Sequence, residues 1–272
     1  MSQRIVCKPT PWFLLRAAAM ILMFGIFAAM FFKDGRSGYR EENLSYYVWK
    51  AVERAVAEFG ERKDEMSPSE WRRFAEIQEV EFPENRNLLP EGTVESVKWP
   101  ELLSDYDAMS AGLGNPERDL FDPIRDQLNL VKEAPEHAHT EREIFEQWVV
   151  FWICLVLFLG ALFLLLRTMA RKIVLDGTTL QPAGGKPVEL GDLVRLDLRR
   201  WKSKGLAFAW SDNGSGGERK IRIDGLTYGG FKHDDGEPAE KLIQAVRAGF
   251  SGELIDYEGE SSEPPPEKPS DV

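Results

Sequence analysis

Two long apolar runs constrain this chain more than any other feature of its sequence. "WVVFWICLVLFLGALFLLL", Trp148 to Leu166, has 19 residues and no charge. "WFLLRAAAMILMFGIFAAMFF", Trp12 to Phe32, has one charge, Arg16, which lies one turn from its start. A helix of about 20 residues spans roughly 30 Å, the thickness of a bilayer core, and an arginine near its end reaches the headgroups. The sequence therefore predicts two transmembrane helices, at 12–32 and 147–167, in contact with a lipid bilayer.

Each run has an alternative interpretation. A cleaved signal peptide would suit the basic residues before the first run, but this run is long and its end, "AAMFFKDG", lacks a clear small-x-small cleavage site. A buried core helix would suit the second run, but its uncharged length and the basic "RTMARK" that follows are typical of a membrane span. An uncleaved anchor followed by a second span is therefore the favoured interpretation.

The distribution of basic residues predicts the orientation of the spans. Loops that stay in the cytoplasm are enriched in lysine and arginine. Six basic residues flank the two runs on the predicted cytoplasmic side: Arg4, Lys8, Arg16, Arg167, Arg171 and Lys172. Three basic residues just past the first run weaken the contrast, namely Lys33, Arg36 and Arg40. We expect an integral protein of a bacterial inner membrane, with residues 1–11 and the chain after residue 167 in the cytoplasm.

Residues 33–146 form the predicted extracytoplasmic domain, which is acidic and mainly helical. It carries essentially all of the acidic excess behind the chain's net charge of −11, and it contains no cysteine. Ser67 and Glu70 form a capping box in "SPSEWRRFAEIQ". Thr140 and Glu143 form a second one in "TEREIFEQW", whose helix is expected to continue into the second span. The helix after Ser67 is expected to bury one face, formed by Trp71, Phe74 and Ile77.

The stretch "EHAH", Glu136 to His139, holds two of the three histidines of the chain. An i, i+2 pair is not a helical ligand pair, and a metal site would need at least one more ligand supplied by the fold. We therefore interpret the stretch as a solvated linker before the second capping box. The sequence leads us to expect no metal and no cofactor.

Residues 168–252 change to short alternating strands and one final helix. "KIVLDGTTLQPA" is typical of a hairpin with its turn at Asp176-Gly177, and "EPAEKLIQAVRAGF" of an amphipathic helix. Antiparallel strands followed by one helix predict an α+β domain. From residue 253 onward the chain is rich in proline and acidic residues, so 253–272 is expected to be a disordered tail.

Three stretches of this domain, "LDGTTL", "GDLVRLDLRRWKSKG" and "AEKLIQAV", resemble the pleckstrin-homology-like domains of bacterial membrane proteins. The resemblance implies antiparallel strands closed by a C-terminal helix. Some members of the wider class bind phosphoinositides through a basic loop between their first two strands. Here that turn is acidic and the basic residues come later. For this chain, the resemblance to the bacterial domains implies an interaction or assembly module.

The stretch "RRWKSKG", Arg199 to Gly205, places four basic residues around one tryptophan. Basic residues near an anionic membrane surface contribute roughly 1 kcal/mol each to binding. The candidates for contact with an anionic lipid headgroup or a partner are Arg199, Arg200, Lys202 and Lys204. The alternative is a strand end followed by a turn. In that case Trp201 continues the polar side of the strand, and its burial would need a bulge.

The sequence lacks the common motifs of catalysis, among them G-x-S-x-G, the phosphate loop, H-E-x-x-H and C-x-x-C. Its acidic excess argues against nucleic acid as a partner. The scarcity of ionisable residues in the apolar runs argues against a transport path. We therefore expect a non-catalytic membrane adaptor that binds unknown protein partners. The alternatives are an accessory subunit of a larger membrane enzyme or transporter, and a module that binds lipid headgroups.

Overall fold

In the computed structural model, two compact units share the chain. The structure describes residues 4–93, 97–131, 136–212, 217–230 and 237–256. The helical unit is Met23–Leu157, and the sheet unit combines Met1–Leu22 with Phe158–Val272. Most of the predicted tail, from residue 257 onward, lies outside the described residues.

The described ranges contain eight α-helices and eight strands. The helices are α1 (Pro11–Lys33), α2 (Tyr39–Arg62), α3 (Pro68–Ala75), α4 (Tyr106–Gly112), α5 (Asp122–Leu128), α6 (Glu141–Met169), α7 (Trp201–Lys204) and α8 (Pro238–Gly249). The strands are β1 (Arg4–Cys7), β2 (Ile173–Asp176), β3 (Thr179–Gln181), β4 (Val188–Glu189), β5 (Leu193–Asp197), β6 (Leu206–Asp212), β7 (Glu218–Asp224) and β8 (Glu253–Ile255). Short 3₁₀ helices lie at Arg86–Leu88, Glu101–Ser104 and Leu190–Asp192, and π-helical segments at Asp34–Gly38 and Glu117–Phe121.

The prediction of two long apolar helices is confirmed by α1 and α6. Only 6% of the most apolar stretch of each helix is buried, whereas a core helix of a soluble protein is mostly covered. By length and composition, both helices are able to cross a membrane. The boundary between the helical unit and the sheet unit falls within each of them.

Both apolar helices continue into the helical unit. The π-helical segment Asp34–Gly38 joins α1 to α2, so that one helix runs without a break from residue 11 to residue 62. Helix α6 begins ahead of the predicted span, as expected, because the Glu143 carboxylate accepts a hydrogen bond from the Thr140 amide at 2.7 Å. The predicted capping box of α3 is also present.

The core of the helical unit packs α2 against the shorter helices. Phe59 of α2 and Trp71 of α3 meet edge to face, with ring centroids 4.9 Å apart. The Trp71 indole donates to the Leu103 carbonyl at 3.1 Å, which satisfies its buried N–H. The prediction that Ile77 shares this buried face is wrong, because α3 ends before it and its side chain is 74% exposed.

Within its described residues, the sheet unit contains two four-stranded sheets. The first has the antiparallel order β1-β2-β3-β4, and the second has the order β7-β6-β5-β8. The predicted hairpin is present as β2 and β3, and its turn uses Gly177, whose φ of 59° favours glycine. One buried cluster joins both sheets and α8, and its members include Ile5, Leu175, Leu180, Leu196, Ile223, Leu242 and Val246.

Strand β1 lies in a segment for which the sequence predicts no regular structure. It pairs antiparallel with β2, so that Arg4 is opposite Asp176 and Cys7 is opposite Ile173. Ile5 and Cys7 are buried in the core of the sheet unit. The strand before α1 and the strand after α6 therefore belong to one sheet, and Arg4–Cys7 of the predicted N-terminal segment are part of the sheet unit.

The end of the sheet unit differs from the predicted order of elements. Strand β8 follows α8 and pairs in parallel with β5, with Leu254 opposite Leu196. Residues 253–255 are thus part of a sheet rather than of the predicted tail, and the helix does not close the domain. A bulge between Leu193 and Arg195 shifts the register of β5. It lets Leu193 and Leu196 be buried together, whereas simple alternation places them on opposite faces.

Candidate functional site

The basic stretch from Arg199 to Gly205 follows the end of β5 and forms a helical turn that leads into β6. Helix α7 starts at Trp201, and Gly205 ends it in the left-handed region with a φ of 64°. The Trp201 side chain is buried, and its indole nitrogen lies 3.1 Å from both carboxylate oxygens of Glu240 on α8. A bulge does precede Trp201 in β5, between Leu193 and Arg195, and the helical turn then directs the indole into the core.

The four basic residues predicted as contacts are exposed around this buried indole. The Arg199 guanidinium pairs with the Asp197 carboxylate at 2.8 Å, and this hydrogen bond lowers the pKa of Asp197. The other three cations are Arg200, Lys202 and Lys204. They give the turn a local positive surface in a chain with an acidic excess.

The basic turn is joined through one loop to Thr10, the residue before α1. The Gly225 amide donates to the Gly205 carbonyl at 2.8 Å. In the same loop, the Thr227 carbonyl accepts from the Thr10 amide at 2.9 Å, and the Leu226 carbonyl accepts from the Thr10 hydroxyl at 3.1 Å. The turn is therefore close to the point where the first apolar helix begins.

A groove of about 810 Å³ opens at the start of α1. The residues that line it include Lys8, Trp12, Arg16, Leu226 and Glu237. The Arg16 guanidinium lies 4.5 Å from the centroid of the Trp12 ring. Tryptophan and basic side chains of this kind collect at membrane surfaces, where the ring meets the headgroups and the cation reaches water. The groove is suited to an amphipathic molecule with an anionic group.

In the helical unit, the start of α6 makes close polar contacts with the π-helical segment and α2. The Trp148 indole donates to the Gly35 carbonyl at 3.1 Å. A Cβ at position 35 would lie 3.1 Å from the indole nitrogen, so glycine allows this approach. The side-chain amide of Gln147, the residue before Trp148, donates to the hydroxyl of Tyr39 at 3.0 Å. Tyr39 lies one helical turn after Gly35. π-Helical segments within longer helices are frequent at functional sites.

His139 packs against α2 in the same region. Its ring stacks on Tyr39, with centroids 3.8 Å apart, and its Nε2 lies 2.7 Å from a carboxylate oxygen of Glu42. The buried Asn43 side chain donates to the His139 carbonyl at 3.0 Å and accepts from the His139 amide at 2.6 Å. Only 14% of the His139 side chain is exposed. The interpretation of "EHAH" as a solvated linker is therefore wrong for His139.

Three side chains beside α2 bring possible metal ligands together. His137, His139 and Glu143 each offer one ligand atom, and these atoms lie within 4.8 Å of one another. His137 Nε2 is 3.5 Å from Glu143 Oε1, and His139 Nδ1 is 4.0 Å from Glu143 Oε2. Hydrogen bonds from Thr140 lower the pKa of Glu143, which keeps its carboxylate ionised at neutral pH. Two imidazoles and one carboxylate are donors typical of zinc sites.

Sequence reasoning misses this cluster because the orienting contacts come from distant residues. Glu42 and Asn43 are 97 and 96 positions away from His139 in the chain. The sequence signal that could have indicated this cluster is the spacing His-x-His-x-x-x-Glu. Its two histidines lie just before the capped start of α6, and its glutamate lies in the first turn of that helix. In a capping box the glutamate folds back toward the residues before the helix, and this is where the two histidines lie.

Comparisons with known proteins find no match for this chain. No model of a protein family matches it, and no curated protein and no solved structure is significantly similar to it. The resemblance of the sheet unit to pleckstrin-homology-like domains therefore stays a prediction.

Proposed function

We propose that the protein is a two-span membrane adaptor without catalytic activity. In this function α1 and α6 cross the bilayer, the helical unit binds a protein partner on one side, and the sheet unit binds a partner on the other. The resemblance of the sheet unit to bacterial interaction modules supports this role. The sequence motifs of common catalytic sites are lacking, which leaves binding as the simpler function.

The observation that carries the proposal is the pairing of β1 with β2. Arg4–Cys7 precede the first apolar helix and Ile173–Asp176 follow the second one. Backbone hydrogen bonds between two strands require both strands to be on the same side of a bilayer. The pairing thus supports a helical hairpin with both ends on one side, independently of the charge rule. It also favours an uncleaved first span, because cleavage after α1 would remove β1 from its sheet.

Two exposed serines provide a matched test of this topology. Ser69 lies in α3 of the helical unit and Ser203 in α7 of the sheet unit. We expect Ser69→Cys to react with a membrane-impermeant maleimide in intact bacterial cells, and Ser203→Cys to react only after permeabilisation. The parent chain measures the background from Cys7 and Cys154, which are both buried. Equal labelling of the two variants in intact cells contradicts the proposal.

Photo-crosslinking in cells tests the adaptor role itself. A photoreactive amino acid is placed at Ile77 in the helical unit or at Leu254 in the sheet unit, both of which are exposed. We expect a discrete protein adduct from each position, with different partners on the two sides. The buried positions Leu103 and Leu196 serve as controls and should give none. One stoichiometric catalytic partner at both positions would instead favour the accessory-subunit function.

A second function, the binding of anionic lipid headgroups by the sheet unit, is favoured by the placement of the basic turn. Arg200, Lys202 and Lys204 are exposed, and their turn is joined through the loop at Gly225 to the start of α1. The groove beside that helix start contains two further cations, Lys8 and Arg16.

Nanodiscs with and without phosphatidylglycerol test this second function on the full chain. We expect the anionic lipid to raise the melting temperature of the parent protein, and added salt to weaken the effect. The triple variant R200A/K202A/K204A should lose most of the stabilisation. The double variant R72A/R73A, which changes exposed arginines of α3, should keep it. Equal stabilisation of the parent and the triple variant contradicts headgroup binding by the turn.

A further inference from the structure

We propose that His137, His139 and Glu143 form a binding site for a divalent transition-metal ion of the zinc class, with Glu42 as the carboxylate that orients His139. This site is independent of the adaptor function and of lipid binding. The proposal rests on the donors present, their spacing, the orientation of His139 and the open side of the cluster.

The ligand atoms are grouped together but are wider apart than in a metal-bound zinc site. Tetrahedral zinc with bonds of about 2.0–2.1 Å holds its ligand atoms about 3.3 Å apart. His137 Nε2 is 3.5 Å from Oε1 of Glu143, and His139 Nδ1 is 4.0 Å from Oε2 of the same carboxylate. One ligand atom from each of the three residues lies within 4.8 Å of the other two. The side chain of His137 is 70% exposed, so it is free to make the shift of up to about 1.5 Å that brings the ligand atoms to the tetrahedral spacing.

Glu42 determines which nitrogen of His139 is free to bind a metal. A carboxylate only accepts hydrogen bonds, so the 2.7 Å contact places the proton of the neutral ring on Nε2. The lone pair is then on Nδ1, the nitrogen that faces Glu143. Zinc-binding histidines commonly donate their second N–H to a carboxylate in this way, which fixes the ring and raises its basicity.

Two of the three ligands are held in place before any ion binds. His139 is fixed by the Tyr39 ring on its face and by Asn43 at its backbone. Glu143 is fixed through one oxygen, Oε2, which accepts from the Thr140 amide at 2.7 Å and hydroxyl at 3.0 Å. Its Oε1 faces His137. A site with two fixed ligands and one mobile ligand loses little conformational entropy when the ion enters.

The charge around the cluster also favours a cation. Glu42 and Glu143 both lie against His139, and Asp34 interacts electrostatically with Glu42 and His139. The carboxylates of Asp34 and Glu42 repel each other, while Lys33 and His139 attract Asp34. A divalent ion would offset this repulsion. With three protein ligands and an exposed side, it would keep one position for water.

Zinc binding to the purified full-length protein tests the proposal. The protein carries no polyhistidine tag, is kept in detergent, and is freed of metal with EDTA. Zn²⁺ alone is then titrated in competition with a chromophoric chelator, and Co²⁺ absorption reports the coordination geometry. We expect one Zn²⁺ per chain and a tetrahedral Co²⁺ spectrum, with no competition from Mg²⁺.

Four variants separate a metal site from simple ion pairs. His137→Ala changes an exposed side chain and should weaken Zn²⁺ binding at least about 100-fold. Glu143→Gln keeps a residue type that serves in capping boxes but removes the carboxylate ligand, and it should weaken binding to a similar extent. Glu70→Gln makes the same change in the capping box of α3 and should leave Zn²⁺ binding unchanged. Glu42→Gln should weaken binding by about 10–100-fold and alter the Co²⁺ spectrum.

The outcomes are distinct. The proposal is supported if the losses follow His137, Glu143 and Glu42 while the metal-free variants melt at the parent temperature. It is overturned if the parent binds no Zn²⁺ stoichiometrically, which would leave the cluster as ion pairs only. It is equally overturned if His137→Ala and Glu70→Gln bind Zn²⁺ with the same affinity as the parent.

Discussion

Val6 lies opposite Val174 in an antiparallel pair of strands, although both apolar helices and the whole helical unit separate the two residues in the chain. This register makes the N-terminal strand a structural part of the sheet unit. It also defines neighbouring positions where the pairing can be tested without disturbing the core. Arg4 and Asp176 are opposite each other at the end of the same ladder, and both are exposed.

A disulfide between positions 4 and 176 is expected to form readily. Residues directly opposite in antiparallel strands have Cα atoms about 4.5–5.5 Å apart, which is within the range of disulfide geometry. Loss of the exposed Arg4–Asp176 ion pair costs little. After oxidation of R4C/D176C and protease cleavage at a site inserted in the helical unit, the fragments should stay joined on non-reducing gels. R4C/K186C is the control, and equal joining in both variants would contradict the register.

Trp201→Ala and Lys202→Ala are expected to differ strongly, although they are neighbours in α7. The indole is buried and contacts Glu240, so its removal should lower the free energy of unfolding of the sheet unit by about 3–5 kcal/mol. Lys202 is exposed, and its replacement should change stability by less than about 0.5 kcal/mol. Urea unfolding monitored by tryptophan fluorescence measures both. Similar losses would mean that the indole is not buried.

Cys7 is expected to make the sheet unit less stable at alkaline pH. Burial raises the pKa of its thiol to about 12 in the folded protein. The unfolded thiol ionises near its usual pKa. The stability that the protonated thiol contributes to the folded protein is therefore complete below about pH 8.5, and it is lost as the pH rises toward the pKa of the folded state. Above about pH 8.5, the free energy of unfolding of the parent protein should decrease with pH more steeply than that of Cys7→Ala. The difference in slope should be about 1.4 kcal/mol per pH unit.

Urea unfolding of the parent and of Cys7→Ala at several pH values between 8 and 11 measures this difference. Tyrosines and lysines titrate in the same window in both proteins, so their effect cancels in the comparison. Maleimide labelling of Cys7 at neutral pH gives a second readout, which should be slow in the folded protein and fast in urea. Parallel pH profiles for the two proteins would argue against burial of the thiol.

Two glycines of the helical unit are expected to respond to alanine in opposite directions. A Cβ on Gly112 would lie 2.5 Å from the buried Leu120 side chain, so Gly112→Ala should destabilise the unit by about 1–3 kcal/mol. Gly60 is within α2, and a Cβ added there would meet no neighbouring atom within 4 Å. Gly60→Ala should therefore stabilise the helical unit by up to about 1 kcal/mol. Thermal unfolding of both variants measures the signs. Stabilisation by both substitutions would contradict the packing of α4 described here.

Features with a local physical cause could be predicted from the sequence. The two apolar helices follow from uncharged length, and the starts of α3 and α6 follow from capping boxes whose members are three residues apart. The hairpin of β2 and β3 follows from a turn that contains Gly177. Hydrophobic spacing also predicts α8, whose residues Leu242 and Val246 are buried.

Features that depend on distant contacts could not be predicted. Strand β1 has four residues and becomes a strand only through its pairing with β2. Strand β8 has three residues and depends in the same way on β5. Trp201 is buried because α7 interrupts the alternation of the preceding strand, and His139 is oriented by Glu42 and Asn43 of α2. These elements form through contacts with residues far away in the chain, so the local pattern of the sequence does not predict them.

The pairing of β1 with β2 also sets an order for folding. A ribosome releases β1 first, but its partner appears only after both apolar helices and the helical unit have been synthesised. Until then β1 has an unpaired edge, and its later pairing must close a loop that contains most of the chain. Such non-local contacts form slowly compared with a local hairpin such as β2 and β3. We therefore expect the pairing of β1 with β2 to complete the sheet unit only after both apolar helices have been synthesised.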